Sequence, residues 1–220
     1  MKQQTRWILI LVPLACILMA VVERYLAPDY AIKITLRICL FAGAVGIYRL
    51  HFREPAFRAL FSPASLKFAL LLAAGAFLVL LGGFFLLRKW IDLDAIAAGL
   101  TSGQNITRDN FFLVALYICL CNSLLEELFF RGLAYLTLRR HWDELPAQVF
   151  SAGAFALYHV TILSGWFPAW LFALIVAGLF VCGILFNLLD YKGSLLPAWL
   201  LHAAANVAIN LIGFLMFGYI

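Results

Sequence analysis

Charge is what this sequence has least of. Only 12% of its 220 residues are Asp, Glu, Lys or Arg, while 65% are hydrophobic; an ordinary soluble domain is about 25% charged and about 45–50% apolar. That balance excludes a water-exposed globule. It also argues against a nucleic-acid partner, because the net charge of +5 is scattered over short connections instead of forming a basic stripe interleaved with exposed aromatics. The five cysteines (Cys16, Cys39, Cys119, Cys121, Cys182) all fall in apolar runs with no C-x-x-C pair or other metal-ligand spacing, and they read as packing residues. No internal repeat or low-complexity tract is visible, and no aspartate sits at the centre of an apolar run, which removes the aspartyl intramembrane proteases. Ser151 and Ser164 lack a Gly-x-Ser-x-Gly-like setting, so a serine nucleophile is disfavoured.

What is present in quantity is long apolar runs. About 20 apolar residues at 1.5 Å each cross ~30 Å of hydrocarbon, and a helix satisfies its own backbone there. Seven such runs lie near 7–23, 34–50, 66–87, 111–138, 147–163, 168–189 and 195–217. The reading is all-α: a polytopic transmembrane bundle of about seven spans, one membrane-embedded domain over 1–220, with the chemistry on helices within about 111–217. The start "MKQQTRWILILVPLACILMA" is basic then apolar but runs on into "VVERY" without a small-x-small cleavage site, so it reads as an uncleaved first span. Lys2, Arg6, Arg49, Arg53, Arg58, Lys67, Arg139, Arg140 and Lys192 fall on one side of the bundle, against Arg24, Lys33, Arg88, Lys89 and Arg108 on the other. A cytoplasmic N-terminus is expected. "RLHFREPAFRALFSPASLK", with Glu54 as its single acid, reads as a cytoplasmic loop. Arg37, in the weakest span, is expected to snorkel to the headgroups, the alternative being an interior partner for an acid. In "RKWIDLDAIAAGLTSGQNITRDN" the first half suggests an interfacial helix, with Gly103, Asn105 and Asp109 marking a loop.

Against this background "CNSLLEELFFRGLAYLTLRR", residues 121–140, is anomalous. A charge at mid-membrane costs about 2.5–3.5 kcal/mol on insertion scales. Glu127 and Arg131 are four apart with the acid N-terminal, the better orientation for an ion pair within a helix. Glu126 is left over, about 100° away around the helix, on a face shared with Asn122 and Phe130. Two later spans carry polar pairs at the same spacing: Phe155 with His159 in "SAGAFALYHV", and His202 with Asn206 in "LLHAAANVAIN", a stripe that Asn210 extends. Counted along their helices, Glu126 and His159 lie ~18 Å and His202 ~10 Å from the same side of the bundle. A carboxylate, two imidazoles and an amide from three helices thus reach overlapping depths. The bland reading of the acids is a buried structural ion network, and of each lone histidine a packing role; the coincidence of the three groups favours function.

These residues carry a resemblance. "EELFFRGLAYLTLRR" is similar to the Glu-Glu-x-x-x-Arg motif of the CAAX protease and bacteriocin-processing family of intramembrane endopeptidases, "FALYH" to its Phe-x-x-x-His motif, and "GSLLPAWLLHAAAN" to its His-x-x-x-Asn or Asp block, in the family's order over 122–210. The resemblance implies an endopeptidase that cleaves near the C-terminus of a membrane-anchored protein or peptide. By the family's roles, Glu126 is the general base for a water, His159 helps hold that water, His202 and Asn206 form the oxyanion pocket, and Glu127 and Arg131 fix the helix behind them. Phe155 is a wall of the cavity. A chain this small looks like a bacterial member in the inner membrane, and trimming of a C-terminal sorting helix is the favoured substrate guess.

No cofactor is the expectation. Zinc on His159, His202 and Glu126 is the alternative, weakened by the absence of a His-Glu-x-x-His helix and by Asn being a poor zinc ligand. A rival from another class is a non-catalytic immunity or assembly factor, or a proton-coupled carrier using the same buried set; a carrier predicts a broken helix pair or a repeat, and neither is seen. Asn210 reads as polar glue between helices, and Gly153, Gly178 and Gly183 as points of close helix approach.

Overall fold

The structure, a computed structural model, describes residues 2–53 and 66–220; Glu54 and Arg58 of the basic loop lie outside them. Every regular element among the described residues is helical. Seven helices are long and apolar enough to cross a membrane: α1 Gln3–Leu26, α2 Tyr30–Phe52, α3 Leu66–Trp90, α5 Arg108–Arg140, α6 Glu144–Leu163, α7 Ala169–Lys192 and α8 Leu196–Met216. They fall on the seven expected runs. Large apolar side chains such as Ile10, Ile17, Leu71, Val79 and Val181 are exposed on the bundle's outside, as a lipid-facing surface requires. The protein is an integral membrane protein.

Between α3 and α5 lies α4, Leu93–Gln104. Asp92 starts it by accepting the Ala95 N–H at 2.9 Å, and Asn105 ends it in the left-handed region at φ 55°. The short helix anticipated here is therefore present, but it continues through Gly103, and Asp109 lies in the first turn of α5 rather than in a loop. Thr107 and Asn110 form the capping box that starts α5.

One apolar cluster joins seven helices, with Ile8, Phe41, Ala73, Phe129, Phe155, Phe186 and Leu201 among its members. Its centre is aromatic: Phe41 stacks on Phe129 with ring centres 4.2 Å apart, and Phe130 meets Phe155 edge-on at 5.4 Å. The winding of α5 is not uniform. Residues 118–122 and 127–137 are π-wound, a local widening that recurs at functional sites, and Thr137 Oγ1 donates to the Gly132 carbonyl at 2.7 Å within it.

Of the three glycines expected at helix contacts, only Gly183 is at one. A Cβ there would sit 2.8 Å from Ala152 Cα, whereas Gly153 and Gly178 have open space around them. They were misassigned because a small residue is needed only where two backbones cross, and sequence does not show which face of a helix meets a neighbour. Gly183→Ala is expected to push α7 from α6 and cost about 1–3 kcal/mol, read as a lowered Tm in detergent, with Gly178→Ala leaving the Tm unchanged.

Candidate active site

The site grows from one helical step in α5. Glu127 is wholly buried, with Oε2 3.2 Å from Arg131 Nε one turn on. The distance makes an ion pair, although the guanidinium N–H groups are not aimed at the oxygen. The guanidinium faces two rings instead, with Cζ 4.2 Å from the centre of Phe155 and 4.6 Å from that of Phe186, so the cation is held by a carboxylate and two π faces. Glu127 Oε1 turns the other way and accepts Nδ1–H of His202 at 2.7 Å.

Glu126, one residue earlier, faces a different set. Its Oε1 accepts from Asn122 Nδ2 at 2.7 Å, the i, i+4 neighbour on the shared face. Its Oε2 has no hydrogen-bond donor among the described residues, and lies 3.9 Å from His159 Nε2 and 3.8 Å from His202 Nε2. The expected convergence of one acid and two imidazoles is thus found, on α5, α6 and α8.

The tautomers follow from the partners. His159 Nδ1 is 2.8 Å from the Phe155 carbonyl and His202 Nδ1 is on a carboxylate, so each Nδ1 carries a hydrogen and each Nε2 faces Glu126. Phe155 therefore acts twice, its carbonyl orienting His159 and its ring covering Arg131. Glu126 and His202 are nearly sealed, at 3% and 8% side-chain exposure, while His159 is 17% exposed. The site opens past His159.

Asn206 sits one turn beyond His202 and donates from Nδ2 to the Ile118 carbonyl at 3.2 Å, bracing α8 against the π-wound part of α5. Asn210 donates to the Asn206 carbonyl at 2.8 Å and lies 3.5 Å from Cys119 Sγ, the interhelical role expected of it. Ser151 is remote from this chemistry, donating to the Phe130 carbonyl at 2.8 Å.

Several residues of the site escaped the sequence reading. Phe186 stacks on His202 at 5.4 Å and 25°, and nothing distinguishes it from other phenylalanines of its span. Trp199 donates from Nε1 to Ser123 Oγ at 3.0 Å, locking α8 to α5 one turn before His202. Asp190, fully buried, accepts the Ala198 N–H at 3.2 Å, an acid at the positive end of the helix that carries His202. Arg37 is a correction. It is buried, with Nη1 donating to Asn122 Oδ1 at 2.8 Å and Nη2 to Glu23 Oε1 at 3.1 Å, so it does not snorkel to the headgroups. An acid at the end of one span opposite two cations at the start of the next was the signal that it points inward.

Zinc was the alternative expectation. Among the described residues no three His, Cys, Asp or Glu side chains are grouped to hold a metal. The 3.8 and 3.9 Å separations around Glu126 Oε2 also exceed the ~3.4 Å between ligands of a tetrahedral zinc with bonds of about 2.0–2.1 Å. As arranged, the donors do not fit the ion.

Residues 108–208 match the family model described as type II CAAX prenyl endopeptidase, Rce1-like. This segment resembles an Rce1-like endopeptidase domain. It runs from the start of α5 to the middle of α8 and contains all the convergent groups. The printed description of that family is of an endopeptidase. No curated protein and no solved structure matches the chain significantly.

The burial of this core sets a stability test. Glu127→Ala leaves Arg131 and His202 without their shared carboxylate, and removing one partner of a buried pair costs about 3–5 kcal/mol. The expected outcome is a strongly lowered Tm in detergent. Adding Arg131→Met to Glu127→Ala is expected to recover much of the loss.

Proposed function

We propose that the protein hydrolyses a peptide bond near the C-terminus of a membrane-anchored protein, using a water activated by Glu126. The observation that carries this is the meeting of three polar atoms, Glu126 Oε2 and the two histidine Nε2 atoms, at 3.8 and 3.9 Å. That spacing is too wide for direct hydrogen bonds and suits a bridging water. A water supplies one hydrogen to Glu126 Oε2 and one to His159 Nε2.

In this reading the water gives one proton to Glu126 Oε2 while His159 Nε2 accepts a hydrogen bond from its other hydrogen. The oxygen adds to the scissile carbonyl carbon, and the carbonyl π bond breaks to leave an oxyanion. His202, its Nδ1–H held by Glu127 Oε1 at 2.7 Å, is a donor for that oxyanion from Nε2 when Nε2 also carries a proton. Asn206, on the same stripe of α8, supplies a second amide hydrogen. The proton on Glu126 then passes to the departing amine as the C–N bond breaks and the oxyanion returns to a carbonyl. No step uses a metal.

The family description names prenylated CAAX tails as the substrate class of the matched family, and trimming of a C-terminal sorting helix remains the favoured assignment for this chain. A bacterial plasma membrane is the location assigned in this reading, and a cytoplasmic N-terminal end of the bundle fits the distribution of Lys and Arg.

The test co-expresses wild type or Glu126→Gln with tagged membrane proteins of the same genome and reads their C-termini by mass spectrometry. Trimming by the wild type and a loss of about 10³-fold or more in the variant are expected, since amide replaces the proton acceptor. Normal trimming by a well-folded Glu126→Gln protein refutes the base assignment. Undiminished binding of a peptide that neither protein cleaves supports the non-catalytic rival. A separate expectation is that cleavage by the purified enzyme survives a zinc chelator; loss restored by added zinc overturns the metal-free mechanism.

A further inference from the structure

The catalytic proposal uses one oxygen of Glu126, and what holds the other is a line of groups reaching into the first two helices. Asn122 Nδ2 donates to Glu126 Oε1 at 2.7 Å, and its own Oδ1 accepts from Arg37 Nη1 at 2.8 Å. Arg37 Nη2 is on Glu23 Oε1 at 3.1 Å, and Glu23 Oε2 accepts from Lys33 Nζ at 2.7 Å. All five residues have side chains shielded from solvent, with Arg37 6% and Glu23 7% exposed. The line also balances in charge. Arg131 is committed to Glu127, while Lys33 and Arg37 stand against Glu23 and Glu126, two cations to two anions.

The amide makes the line directional. Because a guanidinium only donates, Arg37 fixes which end of the Asn122 amide is the oxygen, and so turns the NH₂ toward Glu126. A carboxylate with Oε1 so occupied can present only Oε2 to the imidazoles. We infer that Arg37, held by Glu23 and acting through Asn122, is a positioning residue that offsets the charge of Glu126 and fixes which of its oxygens meets the water. The inference rests on the reading of Glu126 as the base. It assigns to the N-terminal helices, which lie outside the matched family segment, a part in the reaction.

The first arm of the test needs no substrate. The Tm of the purified protein in detergent is measured for Arg37→Gln, Glu126→Gln and the double variant. Arg37→Gln is expected to lower the Tm by about 6 °C or more, as removal of a buried cation does in a chain of this size, and by less than half as much in the Glu126→Gln background. The contact with Glu23 is lost equally in both backgrounds, so only coupling to Glu126 produces the difference. Repeating the cycle with Asn122→Leu present is expected to abolish it. Equal losses in the two backgrounds overturn the inference. The second arm uses Arg37→Lys, which keeps the charge and the fold but not the fork that grips Asn122, and a quenched fluorescent peptide with a prenylated CAAX terminus. The expected result is kcat lowered about tenfold with KM within about twofold; unchanged kcat at an unchanged Tm also overturns the inference. A wild type that cleaves no such peptide counts against prenylated CAAX tails as its substrate, and the stability cycle then decides alone.

Discussion

An ionised carboxylate in the hydrocarbon core of a membrane must find compensation within the protein, and this chain carries two side by side. Adjacent residues on a helix point about 100° apart, so Glu126 and Glu127 cannot share partners closely. They divide them. Glu127 takes Arg131 from its own helix and His202 from α8; Glu126 takes Asn122 from its own helix and, through it, Arg37 from α2. Glu127 is offset by Arg131 directly and Glu126 by Arg37 through Asn122, which ties α2 to α5, while His202 ties α8 to Glu127.

Packing makes the compensation effective. Arg131 is not wrapped in water or in hydrogen bonds but pressed between the Phe155 and Phe186 rings at 4.2 and 4.6 Å, where low polarity strengthens every charge interaction. Those rings are held in place because α6 and α7 approach closely at Ala152 and Gly183, with Ser151 and Asn187 also joined at 3.2 Å across the contact. The same rings touch both imidazoles: Phe155 lies 4.6 Å from His159 and Phe186 lies 5.4 Å from His202. A change at the helix contact is therefore transmitted to the chemistry through two aromatic side chains.

Much of this was legible in the sequence, for a definite reason. In a membrane, helix length and apolar runs leave few alternatives, so all seven spans could be drawn. The scarcity of polar residues made Glu126, Glu127, Arg131, His159 and His202 conspicuous within them. Relations between spans were not legible. Arg37 looked like a snorkelling residue because its depth along α2 says nothing of the direction it points, and the buried Glu23 and Asn122 give it a reason to turn inward. Gly153 and Gly178 failed for the same cause. The π-winding of α5 was invisible because no residue type encodes it, although it falls where the helix bears the acids and meets Asn206.

The two histidines, alike in sequence, become unlike in place. His159 has its Nδ1–H on a neutral carbonyl and stands at the open edge of the site; His202 has its Nδ1–H on a carboxylate and is nearly sealed. A single glutamate cannot both anchor His202 and keep an oxygen bare before the imidazoles, because a carboxylate bound at one oxygen to Asn122 has only the other left. Glu127 does the anchoring and Glu126 keeps the bare oxygen. In the proposed reaction the double acid inside this apolar span is thus divided between orientation and proton transfer by a single residue of helical rotation.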